Sequence, residues 1–168
     1  MLIPRRAADR GFADHGWLKA CHSFSFAGYY DPEQMGWGVL RVINEDRIAP
    51  GMGFGMHGHR DMEILTWMIA GELEHRDSLG HGGVIRRDEF QRMSAGKGIL
   101  HSEFNPSATA EAHLLQIWLE PVARGLPASY EQQQLPAGPL PAGWHLLAAP
   151  EAVAGCARIQ QDARVYLA

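Results

Sequence analysis

HGHRDMEILTWMIAGELEHRDSLG, residues 57–80, sets the fold of this chain. Met62 to Ala70 is rich in β-formers and almost unbroken in apolar character, as expected of a central strand. Gly71 opens a second strand, Glu72 to Asp77, that is polar at alternate positions, and Gly80-His81-Gly82-Gly83 is a turn signal. Similar units lie on either side. Trp37 onward predicts a strand ending before Pro50-Gly51, and Val84 to Met93 predicts one or two strands around Arg87-Asp88. Gly96-Lys97-Gly98 turns the chain again, and Ala112 to Glu120 predicts a strand stopped by Pro121. His22 to Ala27 also alternates as a strand would, before Asp31-Pro32. Many short strands separated by glycine turns imply a closed or sandwiched antiparallel β architecture with little helix.

The bulk numbers agree with one packed domain: 168 residues, 46% of them hydrophobic. A net charge of -4 with scattered Lys and Arg offers no footprint for a phosphate backbone, so nucleic acid is not an expected ligand. Cys21 and Cys156 form no C-x-x-C pattern and are expected as small hydrophobes of a reducing compartment. Neither a signal peptide nor a membrane-spanning run is legible, so the expected location is the cytoplasm. Four prolines between Leu126 and Gly143, at 127, 136, 139 and 141, predict an extended linker. Ala157 to Ala168 alternates like a strand with no turn after it, which predicts an unpaired edge and pairing with a second chain as a homodimer.

Nine histidines are the unusual feature. Residues two apart on a strand share a face, so His57 and His59 can deliver two imidazoles to one point. The spacing recurs as His101-Ser102-Glu103, just after the Gly96–Gly98 turn. Two such pairs make a four-donor set for a mononuclear metal, and an octahedral ion would keep about two positions open for substrate or dioxygen. Glu63 stays an alternative ligand or hydrogen-bond acceptor, because by parity with His57, His59 and Asp61 it faces the same way unless a bulge reverses it. His15, His22, His75, His81, His113 and His145 have no same-face partner in a matching segment and are read as ordinary histidines. The glycine-spaced approach Gly51-Met52-Gly53-Phe54-Gly55-Met56 allows bulges and close backbone contact, and Phe54, Met56, Trp67 and Met93 are candidates either for a dry pocket wall or for core packing.

Gly51-x5-His57-x-His59-x3-Glu63 with Gly71 is similar to the first cupin motif, and Gly98-x2-His101-x3-Asn105 to the second. The run 57–80, together with FQRMSAGKGILHSEFNPS at 90–107, Gly16-Trp17 and HSFSFAGYYDP at 22–32, resembles the pirin family of that superfamily over roughly Arg5 to Tyr130. The resemblance implies an all-β cupin fold, a double-stranded β-helix or jelly-roll-like barrel. It divides the chain into a cupin domain with the metal site (1–125), a Pro-rich linker (126–145) and the beginning of a second cupin-like half (146–168). Its metal ligands fall on His57, His59, His101 and Glu103, favouring Glu103 over Glu63. The implied cofactor is one divalent transition metal, iron(II) first, with nickel, copper, zinc or manganese also accepted by such donors.

Some pirin-like proteins cleave the flavonol quercetin with dioxygen, so the resemblance implies a quercetin 2,3-dioxygenase-like oxidoreductase. Its substrates would be a flavonol-like aromatic and dioxygen, with Glu103 as both ligand and catalytic base. The rival implication is a metal-responsive, protein-binding cofactor of transcription factors that performs no turnover.

Overall fold

The computed structural model describes residues 4–135 and 142–168, so Pro136, Pro139 and Pro141 of the expected linker lie outside the described residues. The fourteen strands are β1 (Gly11–Asp14), β2 (Leu18–His22), β3 (Leu40–Ile48), β4 (Gly53–His59), β5 (Glu63–Ala70), β6 (Glu72–Asp77) and β7 (Gly82–Arg86), followed by β8 (Glu89–Ser94), β9 (Ile99–Phe104), β10 (Ala112–Leu119), β11 (Ser129–Gln134), β12 (His145–Ala149), β13 (Ala157–Arg158) and β14 (Val165–Leu167). Among the described residues the only helix is a single 3-10 turn, Ala7–Asp9.

Seven strands form one sheet in the order β1-β2-β3-β10-β5-β8-β11, and four form a second in the order β4-β9-β6-β7. The chain changes sheets repeatedly, from β3 to β4, β4 to β5, β5 to β6, β7 to β8, β8 to β9 and β9 to β10. Each change is a corner. At the β5–β6 corner Gly71 has φ 73, and a Cβ there would lie 2.5 Å from the Glu111 carbonyl oxygen, so only glycine fits. Asn105 ties the β9–β10 corner by donating from Nδ2 to the carbonyls of Ile48 (3.0 Å) and Ala110 (2.8 Å).

The two sheets close on each other through period-2 burial. Ile48, Met68, Ala112 and Leu114 from the large sheet meet Leu73 and Ile85 from the small one at one end of the barrel. Ile64, Met93 and Ile99 do so at the other. Between these plugs the inward residues are polar: Asn44, Asp46, Thr66, Gln91, Glu103 and Gln116 are all buried. That polar belt is the site.

The outer face of the large sheet is covered as well. Leu65, Phe90 and Leu119 pack with Leu147, Ala148, Ala157 and Ile159 from the three-stranded sheet β13-β12-β14 and its flanks.

Three expectations change. The stretch 126–145 is not all linker, because β11 pairs with β8 along its whole length, Ser129 opposite Ser94 through Gln134 opposite Glu89. The C-terminal stretch is two short strands, with β14 paired antiparallel to β12 rather than left unpaired. Finally, the segment after His22 is no strand; Phe26 and Tyr29 bridge to each other in a tight turn, and Ala27 takes φ 50.

Candidate metal centre

β4 and β9 run antiparallel, but their register slips between Phe54 and His57: Phe54 lies opposite Glu103 and His57 opposite His101. Three steps on β4 therefore answer two on β9. This bulge reverses the side-chain parity, so that Phe54, His57 and His59 all face the barrel interior while Met56 points out, 60% exposed. The bulged Gly55 carbonyl accepts a hydrogen bond from His57 Nδ1 at 2.8 Å, leaving His57 Nε2 free. Gly53 permits the close approach of the two strands, since a Cβ there would sit 2.2 Å from the Glu103 carbonyl oxygen.

The rings of His57, His59 and His101 meet with centroids 4.4 Å (57–101), 4.8 Å (57–59) and 4.8 Å (59–101) apart. Their donor nitrogens lie within 4.8 Å of one another. Burial first, and then repulsion from His57, push the His59 imidazole down to about 4. Burial and the neighbouring imidazoles of His57, His59 and His75 push His101 down to about 3, with Asp77 acting against them. Both are neutral lone-pair donors at neutral pH. His101 Nε2 is buried without a hydrogen-bond partner among the described residues, an orphan that an ion would satisfy.

Glu103 is buried, and each carboxylate oxygen accepts one amide: Oε1 from Gln91 Nε2 (2.8 Å) and Oε2 from Gln116 Nε2 (2.6 Å). Burial raises its carboxyl to about 7 against the hydrogen bonds of Gln116, Gln91 and Thr66. Its ligand atom groups within 4.8 Å with those of His101 and His75, whereas the group containing His57 and His59 closes on His101 without it. His101 is thus common to both groups. A carboxylate offers about four lone-pair sites, so Glu103 keeps acceptor capacity for an ion beside these donors. Three converging imidazoles, one with an orphaned nitrogen, and an adjacent carboxylate fit a divalent transition metal.

Glu63 is not part of this set. Between β4 and β5 the chain turns from one sheet to the other through Asp61, at φ 50, so parity does not carry across. Glu63 faces the C-terminal layer, where Oε2 accepts from Ser94 Oγ (2.7 Å) and from the Gln160 backbone N–H (3.1 Å).

A cavity of about 250 Å³ opens against His57, His59 and Glu103, walled by Phe26, Phe54 and Trp118 and by the polar Asn44, Asp46 and Gln116. Of the expected pocket residues only Phe54 lines it; Met56 is exposed, Met93 plugs the barrel end and Trp67 packs on the outer layer. Asp46 went unnoticed in the sequence. It is 4% exposed, Oδ1 has no hydrogen-bond partner among the described residues, and burial, then Glu103 and Glu45, push its carboxyl up to about 7. The available signal was the run of polar residues on an otherwise apolar face of β3, Val42-x-Asn44-x-Asp46-x-Ile48. His75, read as an ordinary histidine, is fully buried against His101, and the H-x-D spacing His75-x-Asp77 was its signal.

A two-sheet barrel whose inward histidines come from two adjacent strands is a cupin, and its donor set is of the metal-binding kind. The chain belongs to the pirin family, whose model matches residues 5–119. It is 49% identical over 166 residues to a protein of Escherichia coli K12 named quercetin 2,3-dioxygenase, covering 99% of this chain and 71% of that one. A protein of Mycobacterium tuberculosis named putative quercetin 2,3-dioxygenase is 53% identical over 131 residues, covering 78% and 54% of the two chains. Among solved structures, YhhW from Escherichia coli superimposes with a TM-score of 0.92 at 49% identity, covering 96% of this chain and 68% of that one. A second YhhW structure, described as bacterial pirin in complex with nickel(II), gives a TM-score of 0.90 at 49% identity, covering 96% and 69%. No helix among the described residues is long and apolar enough to cross a membrane.

Proposed function

We propose that this chain is a metal-dependent dioxygenase of the pirin type, acting on a flavonol or similar enolic aromatic at a mononuclear site of His57, His59, His101 and Glu103. The observation that carries the reading is the orphaned Nε2 of His101 beside the imidazoles of His57 and His59, at a cavity walled by Phe26, Phe54 and Trp118. The names of the relatives and the nickel(II) complex of YhhW support it. A bound divalent ion, iron(II) or nickel among the candidates, would supply Lewis-acid polarisation of an enolic oxygen and a template for dioxygen.

The chain's own residues do the rest. The aromatic walls hold a flat ring system and exclude water. Glu103, with its carboxyl near 7, is balanced between holding and releasing a proton at neutral pH, as a base for an enolic hydroxyl requires. Asp46 across the same cavity, also near 7, is a second group for that proton. Residues 1–125 carry the site in this reading, and 146–168 begin a second cupin-like half.

The test is oxygen uptake with a panel of flavonols, aerobic against anaerobic, by protein reconstituted separately with iron(II), nickel and zinc, alongside metal analysis of wild type and His101→Ala. Uptake by the wild type and loss of both metal and turnover in the variant are expected. No uptake with any flavonol and any metal sinks the dioxygenase reading; metal retained by His101→Ala sinks the site.

One observation favours a second reading, a metal-responsive protein-binding regulator. The outward face of β4 and β9, directly behind the proposed ligands, exposes Met56, Leu100 and Phe104. Under that reading Glu103→Gln alters the binding of a partner protein and there is no turnover to lose.

A further inference from the structure

Behind His101, on the side away from His57 and His59, a chain of polar groups runs to the surface. His101 Nδ1 lies 3.4 Å from His75 Nδ1, His75 Nε2 lies 3.4 Å from Asp77 Oδ2, and the same Oδ2 lies 3.0 Å from Nδ1 of the exposed His81. Tyr130 of β11 stacks on both outer rings, at 4.5 Å and 15° over His75 and at 5.7 Å and 22° over His81. The strand found inside the expected linker thus clamps this chain in place.

The direction of every hydrogen bond follows from Asp77. Its Oδ1 accepts the backbone N–H groups of Leu79 (2.9 Å) and His81 (3.0 Å), which leaves Oδ2 to the two imidazoles. Burial works to raise the Asp77 carboxyl, but the donors of His81, His75 and Leu79 outweigh it and hold it below its ordinary value, so Oδ2 only accepts. His75 Nε2 must then carry a proton. The His75 ring is wholly buried, which favours its neutral form, so its Nδ1 accepts and His101 Nδ1 donates. The opposite arrangement would place an N–H at His101 Nε2, buried with no hydrogen-bond partner among the described residues.

We infer that Asp77 is a positioning residue that acts through His75 to set His101 in the Nδ1–H tautomer, presenting the Nε2 lone pair to the metal site. Carboxylates commonly orient a ligating imidazole by direct contact; here a second histidine is interposed. The inference rests on the reading of His101 as a ligand.

The experiment is long-range ¹H–¹⁵N NMR of histidine-labelled protein, metal-free and zinc(II)-loaded, with zinc(II) affinities measured by competition. In wild type, His101 should show a protonated Nδ1 in both forms. Asp77→Asn is nearly isosteric, and the two backbone N–H donors keep its side-chain oxygen at the Oδ1 position, so its amide takes the place of Oδ2 and donates to His75 Nε2. His75 Nδ1 then becomes the donor, His101 is driven to the Nε2–H tautomer, and zinc(II) affinity falls about 10–100-fold. Adding His75→Asn supplies a carbonyl near the former Nδ1 position, able to accept from His101 whatever occupies residue 77, and should recover most of the lost affinity.

A protonated Nε2 at His101 in metal-free wild type overturns the inference even where the variants fold poorly. An Asp77→Asn protein with unchanged tautomer and unchanged affinity overturns it too. A reversed tautomer with unchanged zinc(II) affinity instead overturns the reading of His101 as a ligand, and the positioning role with it.

Discussion

Replacing Asp46 by asparagine should stabilise the metal-free protein at alkaline pH and change little near pH 4. The folded state raises this carboxyl from 3.8 to about 7, burial being the main cause. A group whose folded pKa lies above its unfolded value favours folding most fully below the unfolded pKa, and that contribution is lost as pH rises through the folded one. Between pH 4 and 7 the wild type therefore loses stability that the variant keeps. At about 1.36 kcal/mol per unit, the shift of roughly three units sets a ceiling near 4 kcal/mol at pH 8, and about 2–4 kcal/mol is expected. Asparagine preserves the shape and cannot ionise, so cavity terms do not enter. The assay is urea unfolding in the presence of chelator at pH 4.5, 6 and 8, because a bound cation would itself stabilise the ionised carboxylate. The difference between variant and wild type should widen steadily with pH. A constant difference across the three, or a less stable variant at pH 8, would refute the argument that burial keeps Asp46 protonated. If Asp46 also receives the substrate's proton, the stabilised variant should turn over more slowly, the usual conflict between a strained site and a stable one.

Three further outcomes follow from the site and its frame. With His59 near 4 and His101 near 3, protons do not compete for those two nitrogens between pH 8 and 5.5, whereas Glu103 near 7 takes up a proton as pH falls. Nickel(II) or zinc(II) affinity, measured by competition, should therefore weaken below pH 7 by up to about tenfold per unit on account of Glu103, and Glu103→Gln should flatten that part of the profile. Gly53→Ala brings a methyl to within 2.2 Å of the Glu103 carbonyl oxygen and must push β4 off β9; metal affinity should fall along with thermal stability, and unchanged affinity would show that the two strands need not pair closely to build the site. Leu73→Ala opens a void in the fully buried barrel end and should cost about 2–5 kcal/mol in denaturant unfolding with metal stoichiometry intact.

Strand positions and corners were legible because they are local. Glu72 to Asp77 is the same span in sequence and structure, and the expected break at Arg87-Asp88 is where β7 passes to β8 with Asp88 at φ 64. Alternation and turn chemistry act over a few residues, so they survive without knowledge of the partner strands. The H-x-H and H-x-E pairs were legible for the same reason, and β4 and β9 do bring His57, His59 and His101 together. Glu63 against Glu103 was not decidable in this way, because one extra residue at a bulge, or one turn between sheets, reverses every side chain beyond it. Nor was β11 visible behind Pro127 and the prolines after it, since what makes it a strand is the ladder with β8, some forty residues earlier. By itself the sequence determined most of the strands between Trp37 and Glu120 and the candidate donors. Only the tertiary structure decided the environment of each donor. Gln91 and Gln116 reach Glu103 from two other strands, His75 and Asp77 stand behind His101, and Asp46 is closed off from water. Hydrogen-bond partners, tautomer and desolvation are properties of groups brought together from distant parts of the chain, and no window of sequence contains them.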